Sequence, residues 1–95
     1  MHPGAGRVVV TVQGIDRVGI VAEVARVLAE GKANLTDISQ SVLRDDLFVM
    51  VAVADLAENG AGFDELSAAL AASAATLGVD IRLQREEIFR AMHRV

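Results

Sequence analysis

Cysteine, tryptophan and tyrosine are absent from this 95-residue chain, and three phenylalanines are its only aromatic residues. Without cysteine there is no disulfide framework, no thiolate nucleophile and no cysteine zinc site. Without large rings there is no stacking platform, so the core of a chain that is 53% apolar must be built from Val, Leu, Ile and Ala. Basic charge is also scarce. Nine Lys and Arg stand against thirteen Asp and Glu, a net charge of −4 with no clustered basic stripe. That balance argues against nucleic acid and against an anionic membrane as partners. Long apolar runs are missing as well, since Leu47–Ala54 and Leu66–Leu77 are both shorter than a membrane span. The first residues, Met1 to Arg7, lack the charged, apolar, small-residue order of a signal peptide. A soluble cytoplasmic protein of one domain is expected, large enough for one modest core.

What is present reads as alternating strands and helices. Arg7–Gln13 is β-branched, with Val8, Val10 and Val12 on one face and Val9, Thr11 and Gln13 on the other. Gly14-Ile15-Asp16 breaks this strand. Val21, Val24, Ala25 and Leu28 then recur at helical spacing, and Gly31 suits a left-handed C′ position. Asn34–Leu43 and Leu47–Asp55 read as two strands joined by a tight hairpin at Arg44-Asp45-Asp46. Asp37, Ser39 and Ser41 share one face of the first, read mainly as solvated, with Gln40 on the other. The second is apolar on both faces, so either it is central and covered twice or its outer face meets a partner. After a loop at Glu58–Gly62, a helix carries Phe63, Leu66, Leu70, Ala74 and Leu77 as its stripe and ends at Gly78. Val79–Leu83 alternates as a fourth strand, and Glu86–Arg94 is a short amphipathic helix with Ile88, Phe89 and Met92 as its apolar side.

The order βαββαβ, with right-handed crossovers, predicts an α+β ferredoxin-like sandwich. It has a four-stranded antiparallel sheet, two helices on one face and a short C-terminal helix. Two helices leave the other face bare, and bare apolar patches of that size are rare on monomers. That patch predicts either cover by the C-terminal helix or dimerisation, and because the tail is too short to cover a four-stranded face alone, a homodimer is expected.

The segment Gly14-Ile15-Asp16-Arg17-Val18-Gly19-Ile20-Val21 joins a strand end to a helix start. Backbone N–H groups there lack intrahelical partners, and the helix dipole favours a carboxylate or phosphate. Gly19, in the first helical turn, costs about 1 kcal/mol relative to Ala, and close approach of a ligand would be the gain. Asp16 is placed to cap the helix or to receive a ligand ammonium group. The plainer alternative stays open: Asp16 as a cap worth about 1 kcal/mol, and Gly19 as a packing position. A Walker A loop is excluded, because Ile20-Val21 stands where Lys-Ser/Thr is required. The dinucleotide fingerprint fails too, lacking its middle glycine.

Gly14-x-Asp16-Arg17-x-Gly19-Ile20-Val21, followed by Leu28-Ala29-Glu30-Gly31-x-x-Asn34-Leu35-x-x-Ile38-Ser39-Gln40, resembles the opening half of an ACT domain. Asp37–Gln40 and Ile88–Met92 resemble the second strand and final helix of short stand-alone bacterial ACT proteins. The resemblance implies a paired βαββαβ module that senses a small molecule, an amino acid foremost. It implies a ligand beside Asp16 and the backbone of Val18, Gly19 and Ile20, with Asn34 reaching it across the dimer interface. For Asn34 the alternative is a turn residue after Gly31. Where amino-acid-sensing relatives have a polar side chain two residues before the Asp16 position, this chain has Gly14. On this reading residues 1–6 are a flexible N-terminus, 7–85 the ACT-like domain and 86–95 its C-terminal helix.

Other polar residues read as structural. Asp45-Asp46 is turn chemistry, because a hairpin tip offers no burial to separate two carboxylate pKa values. His2 and His93 have no metal-ligand spacing around them, so no metal and no cofactor are expected. Ser73 and Thr76 are helix-surface or packing positions without a partner base. Glu86, Glu87 and Arg90 suit charge pairing along a helix. The expected function is non-enzymatic, a small-molecule-binding regulatory dimer, with a ligand-free interaction subunit as the alternative. Val12-Gln13-Gly14-Ile15 also resembles the Val-Gln-Gly-Val of acylphosphatases, but Arg17 comes too early for their phosphate cradle.

Overall fold

A computed structural model describes residues 6–92. Strand β1 (Gly6–Ile15) leads to helix α1 (Ile20–Glu30), then β2 (Asn34–Leu43) and β3 (Leu47–Leu56). Helix α2 (Phe63–Leu77), β4 (Asp80–Arg85) and α3 (Glu86–Met92) complete the chain. The sheet is antiparallel throughout in the order β2-β3-β1-β4, which is the expected ferredoxin-like arrangement. Residues 1–5 of the expected flexible N-terminus, His2 among them, and residues 93–95 of the expected last helix lie outside the described residues, while Gly6 already belongs to β1.

The core follows from strand alternation. Val8, Val10 and Val12 of β1 face Phe48, Met50, Ala52 and Ala54 of β3 across one buried side of the sheet. Leu66 and Leu70 of α2 close over them. On α1 the fully buried positions are Ile20, Val24, Val27 and Leu28. Of the expected stripe, Val24 and Leu28 are buried and Val21 packs half-buried against the core, while Ile20 and Val27 join them as buried positions that the sequence reading had not included.

The opposite face is treated differently from strand to strand. α3 lies over β1 and β4, where Phe89 and Met92 line a cleft of about 380 Å³ with Thr11, Gln13, Val51 and Gln84. Gln84 Nε2 donates to Met92 Sδ at 3.0 Å, and Arg7 ties the helix start to the sheet through Asp55 (2.9 Å) and Glu86 (3.9 Å). Val9 is buried beneath this end. β3 is central, yet its outer row of Val49, Val51 and Val53 stays only half-buried.

Three local expectations are corrected. β1 does not break at Gly14 but continues through Gly14↔Phe48 and Ile15↔Leu47, because the pairing outlasts the glycine. Gly31 is not left-handed (φ −81°); Lys32 takes that conformation (φ 61°). Glycine stands at 31 for space, since a Cβ there would lie 3.2 Å from Ala61 Cβ and 3.3 Å from Leu66 Cδ1. β4 runs Asp80–Arg85, later than Val79–Leu83, with Ile81 and Leu83 toward the helices. The hairpin is as tight as expected, a 3₁₀ turn with Asp45 and Asp46 both at positive φ.

Ser73, read from sequence as a surface or packing residue, is buried inside the helix layer. Its hydroxyl donates to Glu23 Oε2 at 2.6 Å, and Glu23 also grips Arg26, which reaches Glu30. Hydrogen bonds from Arg26, then from Ser73, lower the Glu23 carboxyl from its ordinary 4.5 to about 2. A carboxylate with a lowered folded-state pKa contributes stability that is present above its unfolded value and is lost as pH falls through the folded one. Wild-type melting temperature should therefore fall more steeply between pH 4.5 and 2 than that of Glu23→Gln. Parallel slopes in a pH series of thermal melts would show that the clamp adds nothing.

Candidate functional site

The loop end of β1 is held in place from two directions. Asp16 N–H donates to Asp46 O (2.8 Å), joining the turn to the β2–β3 hairpin. Arg17 Nη1 donates to Leu77 O (2.9 Å), joining it to the end of α2. Gly14 lies where the chain passes Val79 so closely that a Cβ would come within 2.8 Å of Val79 Cγ1 and 3.1 Å of Val79 Cα. The glycine thus has a packing reason, independent of any ligand.

Gly19 has the opposite reason. Its φ is 96° and nothing lies within 4 Å of where a Cβ would sit. Conformation, not crowding, selects glycine there, because a side chain in left-handed backbone clashes with its own carbonyl. Gly19 is the residue that enters α1, its carbonyl accepting from Glu23 N–H (2.9 Å). This corrects the reading of Asp16 as the helix cap. Asp16 sits three residues too early, and no side chain caps α1. The first amides of α1 are therefore left to solvent or to a ligand.

The expected site residues divide by position. Asp16, Val18, Gly19 and Ile20 are brought together on this turn, with Asp16 exposed and Val18 98% exposed at the tip. Ile20 buries its side chain in the core, so only its backbone can serve a ligand. Asn34 is elsewhere. It pairs beside Asp55, which pairs with Arg7, at the far end of the sheet from Ile15. Eight residues of strand at about 3.4 Å each put it roughly 27 Å from the turn. One protomer cannot close both halves of this site on one small molecule.

The sequence reading missed an apolar rim. Leu43, Leu47 and Ile15 stand side by side across the turn end of the sheet, all exposed. It also missed Arg17, whose signal was α2 ending without a basic residue of its own. A separate open groove of about 740 Å³ runs between α1 and α2. Its Glu23, Arg26 and Ser73 are committed to one another, so the turn is the better candidate for recognition. Among the described residues, no three His, Asp or Glu side chains gather as a metal would need. None of the described helices is long and apolar enough to cross a membrane.

A four-stranded antiparallel sheet beneath two helices, with an uncapped helix entered through a left-handed glycine, defines a ferredoxin-like module with its glycine-flanked turn at one end. The family model of the ACT domain matches residues 6–84, and the chain belongs to the ACT domain family. It is 53% identical over 89 residues to a UPF0237 protein of Methanopyrus kandleri, covering 94% of this chain and 98% of that one. A UPF0237 protein of Listeria monocytogenes is 46% identical over 89 residues, with 94% and 99% covered. Among solved structures, an ACT domain protein from Streptococcus pneumoniae is similar at 40% identity and a TM-score of 0.77, covering 95% of this chain and all of that one. The regulatory subunit of aspartate kinase from Thermus thermophilus, in its ligand-free form, is similar at 25% identity and a TM-score of 0.64, covering 83% of this chain and 50% of that one.

The two glycines separate by mutation. Gly14→Ala should cost about 1–3 kcal/mol through overpacking against the Val79 backbone. At Gly19, Asn should be tolerated better than Val, because Asn accepts left-handed backbone and a β-branched residue does not. Urea denaturation measures both, and equal losses for Asn and Val would argue that crowding governs Gly19 after all.

Proposed function

We propose that this chain is a cytoplasmic, non-catalytic sensor that binds a small zwitterionic metabolite, an amino acid foremost, as a homodimer. Each of two symmetric sites is formed by Asp16 and the backbone of Val18, Gly19 and Ile20 of one protomer with the partner's Asn34. Residues 7–85 supply the ligand domain, and residues 86–95 belong to the same domain. The observation that carries this reading is the separation of Asn34 from the turn within one protomer.

Edge-to-edge pairing resolves that separation. All ten residues of β2 are exposed, and β2 is an edge of the sheet. A bulge between Leu35 and Asp37, with Thr36 Oγ1 donating to Val53 O, brings Leu35, Ile38 and Val42 into one row. Their partners on β3 are Ala54, Ala52 and Phe48, so this row, which Gln40 opposite Met50 completes, lies on the helix side. Unpaired edges with exposed apolar residues are templates for another strand. The other edge, β4, is only six residues long and carries Asp80, Arg82 and Arg85, the kind of charge that discourages pairing. Antiparallel overlap of two β2 strands sets the partner's Asn34 beside Leu43, at the end that carries the turn. The ligand carboxylate then meets the amides at the start of α1, and its ammonium group meets Asp16. The aspartate kinase regulatory subunit, by its name a regulator, favours the same class of role. Arg17 bonded to Leu77 O favours binding over phosphate chemistry, since its guanidinium is turned to α2.

Sedimentation analysis should find a dimer, and Ile38→Lys should yield a folded monomer. A thermal-shift screen of natural amino acids should find one that stabilises the wild type, by about 2.7 kcal/mol at a hundredfold excess over Kd. Asp16→Ala and Asn34→Ala should each lose the response, and mixing the two chains should restore part of it through hybrid dimers with one intact site. A wild-type monomer, or a screen without a single shift, would sink the proposal.

A further inference from the structure

α2 ends at Leu77 with no basic residue in its last turn, so nothing local offsets the negative end of its dipole. Gly78 and Val79 both send their N–H groups to Ala74 O (2.8 and 3.1 Å), which leaves Leu77 O outside the helix's own closing bonds. Arg17 supplies both the charge and the donor, from sixty residues earlier in the chain. The same two segments meet again where Gly14 lies against Val79. Meanwhile Gly19 has open space on the side where a Cβ would point, and the tip at Val18 is almost wholly exposed. The conformation of Val18–Ile20 is therefore set by the anchors that precede it and by the first turn of α1.

We infer that Arg17 is the positioning residue of the ligand turn, and that the α2–β4 junction is where occupancy of the turn is felt by the rest of the domain. The inference rests on Asp16–Ile20 being the ligand half-site. Backbone amides recognise a carboxylate only while they point in one direction. Of the two anchors, the backbone bond from Asp16 to Asp46 fixes the base of the turn, and Arg17 fixes the segment nearer the helix. By linkage, any change at the Arg17–Leu77 bond that reorients the Val18 and Gly19 amides alters affinity at the turn, and occupancy of the turn bears in return on that bond.

Backbone ¹⁵N relaxation of the full chain, wild type beside Arg17→Ala and Arg17→Lys, tests this without a ligand. Wild-type order parameters for Val18–Ile20 should be about 0.85, falling to about 0.6 or below in Arg17→Ala. Those of Val8–Val12 should stay near 0.85, and amide exchange at Gly78 and Val79 should quicken about tenfold as local opening becomes easier. Arg17→Lys, which keeps a cationic donor, should recover most of the rigidity. An unmoved turn in Arg17→Ala, a turn already mobile in the wild type, loosening spread evenly over β1, or no recovery in Arg17→Lys overturns the role. The amino-acid screen is independent of this outcome. A turn loosened by Arg17→Ala together with no amino acid that shifts the wild-type melt leaves the positioning role standing and removes the amino-acid reading. A ligand found with the turn unmoved does the reverse.

Discussion

The ten-residue antiparallel ladder between β1 and β3 is the constraint from which the rest of the arrangement follows. Its inner side carries Val8, Val10, Val12, Phe48, Met50, Ala52 and Ala54, all buried, so register is fixed by the core itself. A slip of one residue would turn that whole row outward. With β1 and β3 central, β2 and β4 become the edges. The ladder also decides the ends. Ile15 is brought to Leu47, so the β1–α1 turn sits beside the β2–β3 hairpin, and Asn34 is carried to the opposite end.

The turn then draws its geometry from elements distant in the chain. Gly14 lets β1 run close under Val79, Asp16 bonds the hairpin backbone, and Arg17 bonds the end of α2. Each contact joins parts of the chain separated by at least thirty residues. A helix start left without a side-chain cap is tolerable on the surface, where water satisfies its amides. The same feature makes it receptive to a ligand's carboxylate. The two edges are equally unlike. β4 is short and charged, whereas β2 is long, carries one acidic residue and sets Leu35, Ile38 and Val42 on one face. That asymmetry leaves β2 the edge more open to strand addition.

Periodicity revealed every strand and helix, because burial on one face writes period 2 or 3.6 directly into residue type. β2 and the span of α2 were legible to the residue, and so was the turn chemistry of Asp45 and Asp46. The misreadings have a common cause. Gly14 seemed a strand breaker, Gly31 a left-handed cap and Asp16 a helix cap, each judged from local propensity. Gly14 and Gly31 are instead explained by what packs against them, Val79 in one case and Ala61 with Leu66 in the other. Asp16 was misjudged because the helix starts later than its neighbours suggest, once β1 has extended to Ile15.

Residue order alone thus determined the element sequence, the βαββαβ class and the candidate status of Asp16–Ile20, since these depend on patterns within a few residues. Tertiary structure decided the rest. It folded Ser73 onto Glu23 and made Arg17 the cap of a helix sixty residues away. It aligned Leu35 with Ile38 through a bulge that a strict period of two cannot encode. It also set Asn34 and the turn at opposite ends of one sheet. Contacts across such separations depend on which surfaces meet when the sheet closes beneath its helices, and no local pattern contains that choice.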